Sequence, residues 1–187
     1  MSELTRLSID AHLLARAQSH YTEQGYIDTP TPWLVEYEAY MATVPPGHEG
    51  MLWRSLHGTY HVASAEQGFI QMMLDGDEIP ARAQSTSPCY RGEPAYDELH
   101  QPFFYKLELY QKDTSDQILT EMITCARGLF DSLGIRTRVV ATGERSYDIE
   151  TAQSHVELGS YGYRQYRQYE WLYGTGLALP RATLYKV

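Results

Sequence analysis

The stretch STSPCYRGEPAYDELHQPFFYKLELYQ, residues 85–111, predicts two β-strands joined by a polar loop. In the second strand apolar and polar side chains alternate, and successive side chains of a strand point to opposite faces. One face is apolar. The other carries an aromatic ring, an ammonium group and a carboxylate: Phe104, Lys106 and Glu108. In the first strand Arg91 and Glu93 lie two residues apart and therefore share a side. Charged side chains are buried only when they have ionic or hydrogen-bond partners, so we expect such partners for Lys106 and Glu108.

The order of these residue types resembles the second signature motif of class II aminoacyl-tRNA synthetases. The pattern is Arg-x-Glu, a loop, His-x-Pro-x-Phe and then Lys-Leu-Glu, from Arg91 to Glu108. Its first part, residues 87–93, is similar to seryl enzymes, and its loop end, residues 100–104, is similar to the lysyl and aspartyl group. The resemblance implies an α+β fold, with a six- to seven-stranded, mainly antiparallel sheet flanked by helices, as in biotin ligases.

Two further segments resemble the first and third class II motifs. A predicted helix over residues 4–24, followed by a short strand at residues 26–30, resembles the first motif, which implies a homodimer formed through residues 1–32. The alternative is an ordinary amphipathic helix followed by an edge strand. The sequence GTGLALPR, residues 174–181, resembles the third motif, a strand that leads into a helix whose first-turn arginine meets the γ-phosphate of ATP; here that residue is Arg181.

The resemblance implies a set of site residues for ATP, Mg²⁺ and an amino acid. The implied ATP-binding residues are Arg91, Glu93, His100, Phe104 and Arg181, of which Arg91 and Arg181 are the implied catalytic residues. The implied amino-acid-binding residues are Glu66, Glu108 and Arg91. In the segment HVELGS, Glu157 and Ser160 are implied to hold magnesium, and a bulge at Gly159 would bring them together. For Glu66 the alternative is a helix start, where Ser64 caps the helix and the glutamate favours its dipole.

Other parts of the chain predict secondary structure from local patterns. An apolar stripe over residues 118–133, preceded by the N-cap candidates at 113–115, predicts a helix. Residues 135–141 and 147–150 predict a hairpin. Tyrosines recur at about helical spacing between residues 161 and 173, with two arginines among them, which favours a helix whose rings pack against the sheet. Stacking of nucleic-acid bases on these rings is the alternative.

The length of 187 residues predicts a single domain. The resemblance covers nearly the whole chain, which implies one class II synthetase-like catalytic domain over residues 1–187, without an anticodon-binding domain. The chain has 15 basic and 24 acidic residues, a formal net charge of −9, which argues against tRNA because proteins grip phosphates with Lys and Arg. No apolar run is long enough for a membrane span, and the amino terminus lacks the pattern of a signal peptide, so a cytoplasmic protein without a membrane partner is expected. Cys89 and Cys125 are not in a Cys-x-x-Cys spacing. Cys89 lies in a Ser-Pro-Cys position that resembles zinc-free seryl enzymes, which implies that no zinc is bound.

These features together predict a stand-alone, truncated synthetase paralogue that uses ATP to form an aminoacyl-adenylate. The expected acceptor is something other than whole tRNA, such as a small molecule, a peptide or a carrier protein. One alternative is a non-catalytic, dimerising or regulatory subunit, and another is an ammonia-using asparagine synthetase. Catalysis is favoured because a purely structural copy would not need to retain the motif residues together: Arg91, Glu93, Phe104, Glu157 and Arg181.

Overall fold

The computed structural model describes residues 9–47, 50, 52–92 and 95–186, and within them α-helices flank a large β-sheet. The strands are β1 (Ile27–Asp28), β2 (Leu34–Val35), β3 (Tyr60–His61), β4 (Arg82–Tyr90), β5 (Phe103–Gln111), β6 (Thr137–Gly143), β7 (Ser146–Thr151), β8 (Glu157–Tyr166) and β9 (Tyr169–Leu179). The helices are α1 (Ala11–Glu23), α2 (Tyr37–Met41), α3 (Ala65–Asp75), α4 (Asp116–Ser132) and α5 (Arg181–Tyr185).

Seven of the strands form one sheet in the order β1-β4-β5-β9-β8-β7-β6. The β1–β4 pair is parallel, and the other neighbours in this sheet are antiparallel. Strands β2 and β3 form a separate antiparallel pair. This architecture confirms the predicted α+β fold with a mainly antiparallel sheet, and the 85–111 stretch forms the predicted β4–β5 hairpin.

Two apolar cores lie on the two faces of the sheet. Helices α1 and α4 cover one face, where Leu107 and Leu109 of β5 are buried in the larger core. Helices α2 and α3 cover part of the other face, where Tyr110 of β5 and Trp171 of β9 are buried. Because β5 sends alternate side chains into the two layers, its polar residues stand on the same face as α3.

Close packing of α1 on β9 depends on a residue without a side chain. The hydroxyl of Tyr21 in α1 donates a hydrogen bond to the carbonyl oxygen of Gly176, at 2.8 Å. A Cβ atom at Gly176 would lie 2.4 Å from Cδ2 of Leu107 and 2.8 Å from the Tyr21 ring. Gly176 therefore lets the helix approach the strand closely.

The helix ends follow local capping rules. Ser115 caps α4 by accepting a hydrogen bond from the backbone N–H of Ile118, as predicted. Helix α1 begins at Ala11, after its N-cap Asp10, which is later than the predicted start at residue 4; residues 4–8 of that prediction lie outside the described residues. Within the described part of the chain, none of the helices combines the length and apolar character needed to cross a bilayer.

The helix predicted between residues 161 and 173 is wrong, because this segment forms the β8–β9 hairpin. Tyr166 pairs with Tyr169 across the turn, and Arg167 in the turn has a φ of 55°. Tyr161 is buried against the α4 side of the sheet, whereas Tyr173 packs on the α3 side. Aromatic residues favour strands and pair well across them, and here cross-strand pairing prevails over the approximate helical spacing.

Candidate active site

A pocket of about 560 Å³ opens on the α3 side of the sheet. Its walls come from β5, β8 and β9, from the start of α3, from the start of α5 and from the loop that precedes β5. The sequence-predicted site residues that line it are Glu66, Arg91, His100, Phe104, Glu108, Glu157, Ser160 and Arg181. Glu93 lies outside the described residues. Segments far apart in the chain therefore meet in one cavity.

The period-two alternation of the strands explains this convergence. In β5, Phe104, Lys106 and Glu108 all line the pocket, while Leu107 between them is fully buried on the opposite face. Glu108 pairs with Thr175 of β9, which also lines the pocket. The next strand, β8, adds side chains at even-numbered positions to the same surface: Ser160 and Arg164.

One end of the pocket combines an aromatic ring with guanidinium groups. The guanidinium carbon of Arg91 lies 5.3 Å from the centroid of the Phe104 ring, and Nη2 of Arg91 donates a hydrogen bond to the carbonyl oxygen of Ala63 at 3.4 Å. Arg181, the first residue of α5, donates from Nη1 to the carbonyl oxygen of Glu157 at 3.0 Å. A ring and two cations suit a ligand that has both a flat π-system and anionic oxygens.

The carboxylate of Asp97 accepts several hydrogen bonds within the loop before β5. Oδ1 of Asp97 accepts hydrogen bonds from the backbone N–H of Leu99 at 2.8 Å and of His100 at 2.7 Å, and it lies 2.9 Å from Nδ1 of His100. These contacts, with the backbone N–H of His100 contributing most, lower the pKa of Asp97 below its usual value. The loop thus holds His100, whose side chain is about half-exposed, in the lining of the pocket.

The predicted bulge exists, but Leu158 is its extra residue rather than Gly159. Ile149 of β7 pairs with Gly159, and the next residue, Glu150, pairs with Glu157, so Leu158 has no partner in β7. The bulge brings Oε1 of Glu157 to 3.4 Å from Oγ of Ser160. Gly159 is required by close packing instead, because a Cβ there would lie 2.8 Å from Thr175.

Asp148 joins this oxygen-rich corner, and the sequence analysis missed it. Oγ of Ser160 donates a hydrogen bond to Oδ1 of Asp148 at 2.7 Å, and the two residues are paired across β7 and β8. Burial raises the pKa of Asp148, and the hydrogen bond from Ser160 opposes that rise. Carboxylate and hydroxyl oxygens are the donors that Mg²⁺ prefers, and it commonly takes only one or two carboxylates from the protein. The residues present therefore fit magnesium.

The opposite end of the pocket contains buried ion pairs. Nζ of Lys106 lies 2.5 Å from Oε1 of Glu108, and the hydroxyl of Ser64 donates to the same oxygen. Glu66 in the first turn of α3 accepts a hydrogen bond from Nε1 of Trp171 at 2.9 Å. Nε of Arg164 also lies 2.9 Å from Oε1 of Glu66.

Ser64 serves as the helix cap that the sequence suggested. Its hydroxyl oxygen accepts a hydrogen bond from the backbone N–H of Glu66 at 3.3 Å, while Glu66 lines the pocket. The helix-start interpretation and the binding-residue interpretation are therefore compatible.

Several residues at this end were not singled out as site residues by the sequence analysis: Lys106, Arg164, Trp171 and Tyr173. Lys106 could have been found, because it shares the alternating face of β5 with Phe104 and Glu108. Arg164 could not be placed while its segment was assigned to a helix. Trp171 is 1% exposed and carried no local signal.

The sequence is similar to serine–tRNA ligases, although no protein-family model matches it. The ligase of Bartonella tribocorum is 29% identical over 177 residues, an alignment that covers 78% of this chain and 42% of that ligase. The chain thus spans less than half the length of this curated relative.

Solved structures share the fold at lower sequence identity. Seryl-tRNA synthetase from Pyrococcus horikoshii, complexed with ATP, superposes with a TM-score of 0.77 at 20% identity and covers 94% of this chain and 49% of that chain. A pyrrolysyl-tRNA synthetase from Desulfitobacterium hafniense has a TM-score of 0.74 at 15% identity and covers 97% of this chain and 68% of that chain.

Proposed function

This chain is a class II aminoacyl-tRNA synthetase core-like protein, and on that premise we propose that it activates an amino acid with ATP to form an aminoacyl-adenylate. The observation that supports this most strongly is the shared pocket of Arg91, Phe104 and Arg181, with Glu66 and Glu108 at its other end. In this proposal residues 1–187 act as one catalytic domain that pairs with a second copy through residues 1–32.

The reaction needs alignment and charge neutralisation more than covalent chemistry. A carboxylate oxygen of the amino acid attacks the α-phosphorus of ATP, a new oxygen–phosphorus bond forms, and the bond to the β-phosphate oxygen breaks with release of pyrophosphate. Negative charge builds on the phosphate oxygens, so fixed cations lower the barrier. Arg91 would bridge the substrate carboxylate and the α-phosphate, because its planar fork can donate to both.

The other residues at this end would hold the nucleotide. Phe104 would stack under the adenine ring, Glu93 would receive the adenine amino group, and His100 would close the mouth of the pocket. Arg181, at the start of α5, would bind the terminal phosphates. Its side chain is 23% exposed and already lies beside Glu157, so it can exchange part of that contact for phosphate oxygens.

Magnesium would be held by Glu157 and Ser160, and it would neutralise phosphate charge when bound. Asp148 would accept a hydrogen bond from the hydroxyl of Ser160 and so orient Oγ of Ser160. The side-chain carboxylate of Glu157 also lies 3.7 Å from Nη1 of Arg181. One residue would thus link the metal site to the arginine that binds phosphate.

The amino acid would lie between Arg91 and the buried carboxylates. Glu66 would receive its α-ammonium group, since a charge-assisted hydrogen bond orients an amine strongly. Glu108, 3% exposed and paired with Lys106, would meet the side chain. Serine is the first substrate to test, because the relatives are serine–tRNA ligases.

For the acyl acceptor we propose a small molecule, a peptide or a carrier protein rather than whole tRNA. The net charge of −9 supports this choice, because an acidic protein repels a polyphosphate backbone unless it has a basic patch.

The test is ATP–pyrophosphate exchange with magnesium, run separately with each proteinogenic amino acid. We expect exchange with one amino acid or a few, and loss of exchange in Arg91→Ala. Exchange no higher than in that variant, for every amino acid, would contradict the proposal and favour a non-catalytic subunit. Release of AMP in the presence of ammonia and aspartate, with asparagine formed, would instead indicate an asparagine synthetase. Formation of aminoacyl-tRNA after addition of tRNA would contradict the proposed acceptor class.

A further inference from the structure

Glu66 is a buried carboxylate that is held by one of its two oxygens. The residue is 7% exposed, in the first turn of α3. Both of its close side-chain partners, Trp171 and Arg164, approach Oε1 at 2.9 Å. No hydrogen bond from a described residue reaches Oε2. The carboxylate is thus fixed on one side and has an oxygen left for a further donor in the pocket.

The two partners of Glu66 are neighbours on adjacent strands. Arg164 of β8 and Trp171 of β9 lie directly opposite each other in the antiparallel register. The guanidinium carbon of Arg164 stands 4.7 Å from the centroid of the Tyr173 ring. Nε of Arg164 is buried and its N–H is not aligned with any acceptor in the described residues, so the contact with Glu66 is an ion pair rather than an aligned hydrogen bond. The arginine therefore acts on Glu66 mainly through its charge.

The groups that face Glu66 come from three strands. Arg164 comes from β8, Trp171 and Tyr173 come from β9, and Lys106 and Glu108 come from β5. Burial raises the pKa of Glu66, and the negative charge of Glu108 adds to that rise. Arg164 is the strongest opposing influence, ahead of Trp171 and Lys106. Without Arg164 a larger fraction of Glu66 would be protonated at a given pH.

We propose that Arg164 is a positioning residue whose charge holds the Glu66 carboxylate in the orientation that receives the α-ammonium group of the substrate. This inference rests on the proposed function. It implies that the substrate is a free α-amino acid, because a carboxylic acid without the amine would leave a buried carboxylate oxygen unpaired. Arg164 acts through Glu66 and does not touch the reacting atoms.

The experiment compares Arg164→Gln with Arg164→Lys in the exchange assay. Arg164→Gln is expected to raise the KM for the amino acid by about tenfold or more at pH 6.5, the loss expected when a buried charge pair is broken. Arg164→Lys keeps a positive charge beside Glu66 and is expected to raise this KM less than Arg164→Gln does. The KM for ATP should not change by more than about twofold in either variant. Arg167→Gln is the matched control, because Arg167 lies in the turn of the same hairpin and pairs with the exposed Glu38.

The pH dependence separates this role from a merely structural one. Removing Arg164 raises the pKa of Glu66, so the KM defect of Arg164→Gln should shrink as the pH rises from 6.5 to 9. The inference would be overturned if the rise in KM for the amino acid in Arg164→Gln were the same at every pH, or if there were no rise. In either case exchange by the wild-type protein would still support the proposed function. Absence of exchange in wild type would refute the proposed function itself. If Arg164→Gln does not fold, Arg164→Met carries the test, because it removes the charge but keeps a long side chain that can pack on the Tyr173 ring; an unchanged KM for the amino acid would then overturn the inference.

Discussion

Replacement of Lys106 by methionine is expected to destabilise the protein because the buried carboxylate of Glu108 would lose its ionic partner. The Lys106 side chain is 17% exposed and that of Glu108 is 3% exposed, and the ammonium nitrogen lies 2.5 Å from Oε1 of Glu108. Ser64 donates to the same oxygen and would remain a hydrogen-bond partner of Glu108. Methionine has a similar length and packs well, so the change removes the charge more than the volume.

The size of the effect follows from the burial of the pair. Breaking a buried ion pair by removing one partner costs about 3–5 kcal/mol, because an uncompensated charge stays buried. The value for Lys106→Met should lie near the lower end, about 3 kcal/mol, since Ser64 still donates a hydrogen bond. The double variant Lys106→Met with Glu108→Gln removes both charges. Its loss in free energy of unfolding should be smaller than the sum of the two single-variant losses by at least about 1.5 kcal/mol.

Urea unfolding of the four proteins in this cycle measures the coupling. The exposed pair of Arg145 and Asp116, whose side chains are 32% and 82% exposed, is the control, and its cycle should give less than about 1 kcal/mol. The reasoning would be refuted if the Lys106 and Glu108 effects were additive within about 0.5 kcal/mol, which is the behaviour of independent sites.

Three other changes test separate parts of the structure. Arg91→Ala is expected to lower the rate of adenylate formation by about 100-fold in single-turnover measurements, because it removes a transition-state donor, and a near wild-type rate would exclude this role. Phe104→Ala is expected to raise the KM for ATP by about tenfold through loss of base stacking, with GTP as a comparison nucleotide; an unchanged KM would place the adenine elsewhere. Gly176→Ala is expected to lower the free energy of unfolding by about 2 kcal/mol in urea, because its methyl group would overlap Leu107 and Tyr21, and an unchanged midpoint would show that α1 can shift freely.

Local patterns in the sequence determined much of the fold. The alternation in residues 103–111 was enough to predict which side chains of β5 face the core and which face the pocket, because strand geometry has a period of two. Ser115, one of the three predicted N-cap candidates at residues 113–115, caps α4, which begins at Asp116. The order of the motif residues led to the class of fold, and every candidate site residue in the described part of the chain lies in one pocket. The roles assigned to these residues remain predictions.

Only the tertiary structure decided which residues meet across strands. The tyrosine spacing between residues 161 and 173 is compatible with a helix or a hairpin, and the pairing of β8 with β9 selects the hairpin. That pairing places Arg164 against Glu66, and the register between β7 and β8 places Asp148 against Ser160. The contact between Arg164 and Glu66 also requires α3 to pack on the β8–β9 hairpin, and these two segments are far apart in the chain, so no short window of sequence contains it. The β5 face was predictable because it depends on one strand alone, whereas these contacts depend on several.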